Sequence, residues 1–336
     1  MNSFNLGKFA AIKTAMFAVL AAGVLAASPA YASFQIADDV SLGFKFFADV
    51  THSEDDADSG FHLKRSYVTL KAKVDSRTKL RLTLDQRSED QADGKGGVLV
   101  KYAYVDYMLD GNSYARVGLL NTPYVGFAEA KLWGYRHVVS TFADYWKAQT
   151  SADLGASVAG ALGDGLLEYQ FSALNGEGYG NKVDGTGFAA AGRLNANLGK
   201  LMVGGFFHEE RSRNGQTVRD YDPSRRGMFV GYNDGNYRLV AQYLTADDGA
   251  AATTFVDGVG FNIQGQARLS ADGKWKLFGR YDEMDRKDDG NEDRFWLLGF
   301  STTGKNGLTF SPNIRVEANN NAAPQTIVAL NFQLKL

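Results

Sequence analysis

From Leu42 to the end of the chain, apolar and polar residues alternate in short runs. Leu42, Phe44, Phe46, Ala48 and Val50 form one apolar row. Val68, Leu70, Ala72 and Val74 form the next, with Arg65, Tyr67, Thr69, Lys71 and Lys73 on the opposite face. A period of two is the mark of a strand with one apolar and one polar face. After Asp75-Ser76-Arg77-Thr78, a turn sequence, Leu80, Leu82 and Leu84 resume the apolar face against Lys79, Arg81, Thr83, Asp85 and Arg87. The segment 61–87 thus predicts a β-hairpin with a basic polar face. The rhythm continues through Ala103-Val105-Tyr107-Leu109, Leu167-Tyr169-Phe171-Ala173, Leu201-Val203-Gly205-Phe207, Tyr237-Leu239-Ala241-Tyr243 and Val259-Phe261-Ile263. It ends in Val328-Leu330-Phe332-Leu334-Leu336. Strands near Phe188 and Phe295 can be placed but not oriented.

The connections alternate too. Short turns fall at 75–78, 110–113, 163–165, 199–200, 233–236, 270–273 and 303–306. Longer polar loops fall near 51–60, 88–97, 121–150, 175–185, 209–223, 246–255, 284–292 and 319–324. About sixteen strands result, with both termini on the short-turn side. The stretch 121–150 breaks the rhythm that Ala115-Val117-Leu119 and Leu154-Ala156-Val158 keep on either side. About 30 residues is long for a loop. Its Tyr124, Phe127, Trp133, Tyr135, Phe142, Tyr145 and Trp146 argue against disorder.

Two architectures fit the alternation. A soluble sheet needs a second layer over its apolar face, and no helical segment is available for one. A membrane barrel needs only closure, because lipid satisfies no backbone group. Even strand number, short turns on one side and strands of about 10 residues match a tilted crossing. Trp275, Tyr281, Tyr237, Tyr243 and Tyr232 near strand ends suit interfacial girdles. The predicted fold is all-β: a transmembrane antiparallel barrel with the long third loop folded into the lumen. Sixteen strands leave room for an aqueous channel.

Composition agrees. The chain has 336 residues, no cysteine, five prolines and a formal net charge of −2. No composition shift divides residues 33–336, so they are read as one barrel domain. Lys8 and Lys13 precede the apolar run Ala15 to Ala27 and an Ala30-Tyr31-Ala32 site. These features describe a secretory signal peptide over 1–32, cleaved after Ala32. The charge balance lacks the basic face of a nucleic-acid partner.

Three segments together resemble the phosphate-selective porin O/P-like family of Gram-negative outer membranes: FHLKRSYVTLKAKVDSRTKLRLTLD, VKYAYVDYMLDGNSYARVGLLNTPY and ADLGASVAGALGDGLLEYQFSALNGEGYG. The terminal Leu336 departs from the Phe that usually ends such barrels. The resemblance implies passive diffusion of small hydrophilic solutes and ions, with phosphate or other small anions possible. It implies an outer-membrane location among lipid and lipopolysaccharide, insertion by the barrel-assembly machinery, a homotrimer, and no cofactor. It also implies a basic ladder leading anions inward.

Candidate pore-lining bases are Arg65, Lys71, Lys73 and Arg81 on the hairpin, Arg116 beyond it, and Lys131, Arg136 and Lys147 in the long loop, where His137 is also a candidate. Rings of such bases select anions. By parity Lys45, Arg193, Arg238, Arg268, Arg280 and Arg315 also face inward. So do Asp49, Asp85, Asp106, Glu168, Asp282 and Glu317. The alternative is therefore a general, sugar- or carboxylate-specific porin with a mixed-charge wall. Loop aromatics are candidates for wall packing or for a sugar path, and the acidic loops 54–58 and 285–293 for loose divalent-cation contact, with no metal site defined. A barrel hydrolase is the remote alternative. His208, beside Glu209 and Glu210, is its best base among His52, His62, His137 and His208, but no nucleophile accompanies it, so no catalytic residue is assigned.

Overall fold

The computed structural model describes residues 34–54, 59–87, 97–109, 112–180, 187–212, 223–247, 257–286, 292–304 and 307–336. The expected signal peptide and its cleavage site lie outside them. The strands are β1 (Phe34–Ala37), β2 (Val40–Ser53), β3 (Gly60–Lys73), β4 (Thr78–Arg87), β5 (Gly97–Met108), β6 (Tyr114–Asn121), β7 (Ala152–Leu162), β8 (Leu167–Leu174) and β9 (Gly187–Leu198). They continue as β10 (Leu201–Ser212), β11 (Ser224–Asn233), β12 (Tyr237–Asp247), β13 (Gly258–Arg268), β14 (Trp275–Arg286), β15 (Glu292–Thr303), β16 (Leu308–Asn319) and β17 (Ala322–Lys335).

Each strand from β2 to β17 pairs antiparallel with its sequence neighbour, and β17 pairs with β2, which closes a ring of sixteen. The short β1 folds back onto the start of β2 through Asp38 and Asp39. It lies beyond the end of β17, where Phe44 and Leu336 exchange backbone hydrogen bonds at 2.9 Å.

The rows read from alternation point outward. Leu70, Leu82, Val105, Val203, Met228, Leu239, Ile263 and Leu298 are all exposed. A closed ring with an exposed apolar belt meets the two demands of a strand-built span: no open edge and no polar face toward lipid. Among the described residues no helix is long and apolar enough to cross a membrane. The two strands that alternation left unoriented now resolve: Phe188 faces out and Phe295 is buried inside. The expected loop over 319–324 is instead a two-residue turn, because Asn319 pairs with Ala322. Polarity there reflects turn chemistry rather than length. Arg268 keeps the inner-face parity of Gln264 and Gln266 and is exposed to solvent at the end of β13.

Strict alternation fails at two places that matter. Phe47 pairs with Arg65 but Ala48 pairs with Leu63, so Lys64 is an extra residue in β3. Thr83 pairs with Tyr102 but Leu84 pairs with Val100, so Lys101 is an extra residue in β5. A β-bulge of this kind re-aims a side chain. Both lysines, which parity would send outward, face the interior.

Candidate pore constriction

Between β6 and β7 the chain forms a short α-helix α1 (Val125–Phe127), a π-helix (Ala128–Trp133) and a second short α-helix α2 (Phe142–Tyr145). Gly134 ends the π-helix with φ 83°. That left-handed conformation suits glycine, which has no Cβ to clash. A Cβ there would also lie 2.7 Å from an Arg238 guanidinium nitrogen.

The loop aromatics pack against the inner wall. Tyr124, Phe127, Leu132 and Phe142 form one buried cluster with Phe206, Phe229, Val240, Leu244 and Met284. Trp133, Tyr135, Val138 and Val139 form a second with Phe278, Phe295 and Leu297. Tyr124 stacks on Phe206 at 3.6 Å between centroids, and Tyr135 on Phe278 at 4.2 Å. These wall residues sit on the otherwise polar inner face of β10 to β15. Burying each large side chain is worth roughly 1.5–3 kcal/mol, so the arc carries a core. Of the two uses considered for the loop aromatics, packing is the one seen.

Wall side chains then satisfy the loop's polar groups. Arg193 donates to the Pro123 carbonyl at 3.0 Å, Arg225 to Ala148 at 2.6 Å, and Arg238 to Trp133. Arg280 donates to the Ser140 carbonyl. Trp146 Nε1 donates to Asp282 at 3.0 Å, Tyr145 to Glu317 at 2.7 Å and Tyr135 to Gln266 at 2.9 Å. Buried backbone carbonyls need such partners. Arg193, Arg238 and Arg280 therefore face inward as expected, but they hold the loop.

The far side of the loop is fixed at β17, β2 and β3. Lys64 donates to the Val138 carbonyl at 2.7 Å and lies 3.4 Å from Asp49. Asn331 bridges Asp49 at 2.8 Å and the His137 carbonyl at 3.1 Å. His62 meets Asp49 at 3.0 Å. His137, outside the strands, sits 2.8 Å from Ser311. Burial, then the nearby Lys64 charge, pushes its pKa down to about 3.

The loop thus occupies the β9–β16 side. Against β17 and β2 to β6 a chamber of about 640 Å³ stays open. Lys45, Arg81, Lys101 and Lys335 line it on the wall, and Gly126, Glu129, Ala130 and Gly134 on the loop. Lys71 joins Lys45, Arg81 and Lys335 in an adjoining space toward the short-turn end. Like charges stand directly opposite across strands: Lys45 with Lys335, Lys71 with Arg81, Lys73 with Lys79. Such pairs are destabilising. Among the described residues Lys45, Lys71, Arg81, Lys101 and Lys335 make no ion pair. The inward aspartates, by contrast, are partnered: Asp85 by Arg65 at 3.1 Å, Asp106 by Arg116 at 2.6 Å, and Asp282 by Arg280.

The expected site residues divide accordingly. Arg81 lines the chamber, and Lys71 and Lys73 continue the basic surface toward the short-turn mouth. Arg116 lines the chamber while bound to Asp106. Arg65 is bound to Asp85. Arg136 lines the chamber but pairs with Glu129 at 2.6 Å and Asp144 at 2.9 Å, within the loop. Lys131 and Lys147 are exposed and not part of the chamber wall. Lys101 was missed. His208 is buried between Gln149 and Glu210. The acidic segments 54–58 and 285–293 lie partly outside the described residues; Asp293 there pairs with Arg286. Among the described residues no acidic or histidine group is arranged to hold a metal.

No family model matches the chain, and no curated protein matches it by sequence. Solved structures do match by fold. An anion-selective porin from Comamonas acidovorans superposes with a TM-score of 0.68 at 15% identity, covering 88% of this chain and 98% of that one. OmpF of Salmonella typhi, in complex with daunomycin, gives 0.64 at 12%, covering 90% and 100%. The trimer form of OmpT, an outer-membrane protein of Vibrio cholerae, gives 0.61 at 11%, covering 88% and 98%. The fold is that of outer-membrane porins.

Proposed function

We propose that this chain is a porin of the Gram-negative outer membrane, exported by the 1–32 leader, that passes small hydrophilic solutes and favours anions. One observation carries the reading: Lys45, Arg81, Lys101 and Lys335 line the open part of the lumen without ion-pair partners, while the inward aspartates Asp49, Asp85, Asp106 and Asp282 are paired with bases. A ring of uncompensated cations in a narrow aqueous passage raises the local anion concentration. The loop sets the width and the β17–β6 arc sets the charge. Phosphate selectivity is the finer form of this reading, supported by the resemblance of the three segments to the O/P-like family. A homotrimer is part of the same reading, with lipid and lipopolysaccharide around it. The porin fold of the similar structures supports a pore rather than an enzyme.

The test is reversal potential in planar bilayers across a potassium chloride gradient. Anion selectivity is expected, with phosphate and a dicarboxylate competing for the path. A cation-selective potential, or folded protein that does not conduct, defeats the proposal.

A further inference from the structure

We propose that the chamber is a binding site for flat aromatic carboxylates, such as benzoate, and not only a charged passage; this rests on the porin reading above. The argument starts at Lys101. Its side chain is 2% exposed and lines the chamber. No carboxylate or hydrogen-bond acceptor among the described residues meets its ammonium, which instead lies 5.1 Å from the Tyr67 ring centre, 5.7 Å from Tyr102 and 5.6 Å from Tyr179. The Glu129 carboxylate across the chamber is paired with Arg136, so this buried ammonium rests on rings without an ion-pair partner of its own.

The surroundings define the shape of that partner. The Arg81 guanidinium lies over the Tyr102 ring, 4.5 Å from its centre, and donates to Thr83 and toward Tyr104. A guanidinium over a ring directs its N–H groups to acceptors at its edge, and with Nε and Nη1 so directed Arg81 keeps Nη2 for a further acceptor. Ring faces are electron-rich, so an anion cannot rest its charge on them. Its charged end must go to Lys101 or Arg81, and its body along the tyrosines. Opposite, the loop offers Gly126, Ala130 and Gly134, spaced by four, beside a Glu129 carboxylate that Arg136 holds at 2.6 Å. Rings and cations on one wall, and on the other a low strip of small residues flanked by the Glu129–Arg136 pair, make a slot. Its volume of about 640 Å³ falls within the roughly 300–1,000 Å³ common to small-molecule sites. A flat ring bearing one carboxylate fills both requirements. A compact hydrated oxyanion such as phosphate uses the charge but leaves the rings idle.

The experiment measures block of chloride current through the folded protein in planar bilayers by benzoate, cyclohexanecarboxylate, acetate and phosphate. Benzoate is expected to reach half-block at a concentration at least about tenfold below the other three. Lys101→Met and Tyr67→Leu are each expected to raise the benzoate half-block severalfold. Equal block by benzoate and cyclohexanecarboxylate, strongest block by phosphate, or benzoate block unaltered in both variants overturns the inference while leaving an anion-selective pore standing. Absence of conductance, or cation selectivity, fails the porin reading beneath it.

Discussion

Lys64 and Lys101 hold equivalent positions two strands apart: each is the extra residue of a β-bulge that turns a lysine from the lipid-facing side into the lumen. Their uses differ. Lys64 is bound to Asp49 and the Val138 carbonyl and fixes the loop. Lys101 faces the chamber with rings alone around it.

Replacing Lys64 by Met should leave the Val138 carbonyl without its donor and weaken the charge balance at Asp49. A lost buried hydrogen bond of this type costs about 1–3 kcal/mol. A lower thermal midpoint in detergent and noisier single-channel current are expected; an unchanged midpoint and quiet current would show that Lys64 does not restrain the loop.

Charge reversal should sort the bases by place. Lys101→Glu and Arg81→Glu are expected to move the reversal potential toward cations. Lys131→Glu and Lys147→Glu, outside the chamber, should move it far less. Equal shifts from both sets would mean that the ion path is not the chamber.

Gly134→Ala puts a side chain at φ 83° beside Arg238. Such a backbone costs on the order of 1–3 kcal/mol in a residue with a Cβ. The variant should melt earlier, and Gly134→Asn, which tolerates the left-handed region better, should melt between the two. The reverse order of Ala and Asn would contradict the strain argument.

His137 binds fewer protons folded than unfolded between its folded pKa of about 3 and an unfolded value of about 6.5. Its contribution is complete above the unfolded value and declines as pH falls through the window toward the folded one. His137→Gln should therefore flatten the loss of thermal stability between pH 7 and pH 4. A variant with the same slope as the parent would place the titration elsewhere. Asp75, held below its usual value by the Arg77 and Thr78 backbone N–H groups, adds a separate loss at lower pH in both proteins.

Alternation made the ring legible because the outer face has a single requirement, apolarity at every second residue. The inner face has no such uniform demand. Phe206, Phe229 and Phe278 read as stray apolar residues on a polar face until the loop aromatics stand opposite them. Arg238 and Arg280 read as pore bases because the carbonyls they meet belong to residues more than 100 positions away. The bulges did leave a trace. Val98 and Val100 sit out of phase with Ala103, Val105 and Tyr107, and Phe61 and Leu63 out of phase with Val68 and Leu70. Those slips mark the residues between them, Lys101 and Lys64, as the places where parity changes.

The one-sided seating of the loop has a consequence for how such a chain can vary. Side chains on the inner face of β10 to β15 answer to a packed interior, and substitutions there are tested by folding. On β4 and β5 the inner face is divided: Tyr102 and Tyr104 belong to a packed cluster, while Arg81 and Lys101 border the open chamber. Arg81 can be exchanged to change the charge of the chamber while the loop's seat is left alone; the β17–β2–β3 corner, where Asn331, Asp49 and Lys64 hold the loop and Lys45 and Lys335 line the chamber, is where a packed interior and an open one meet.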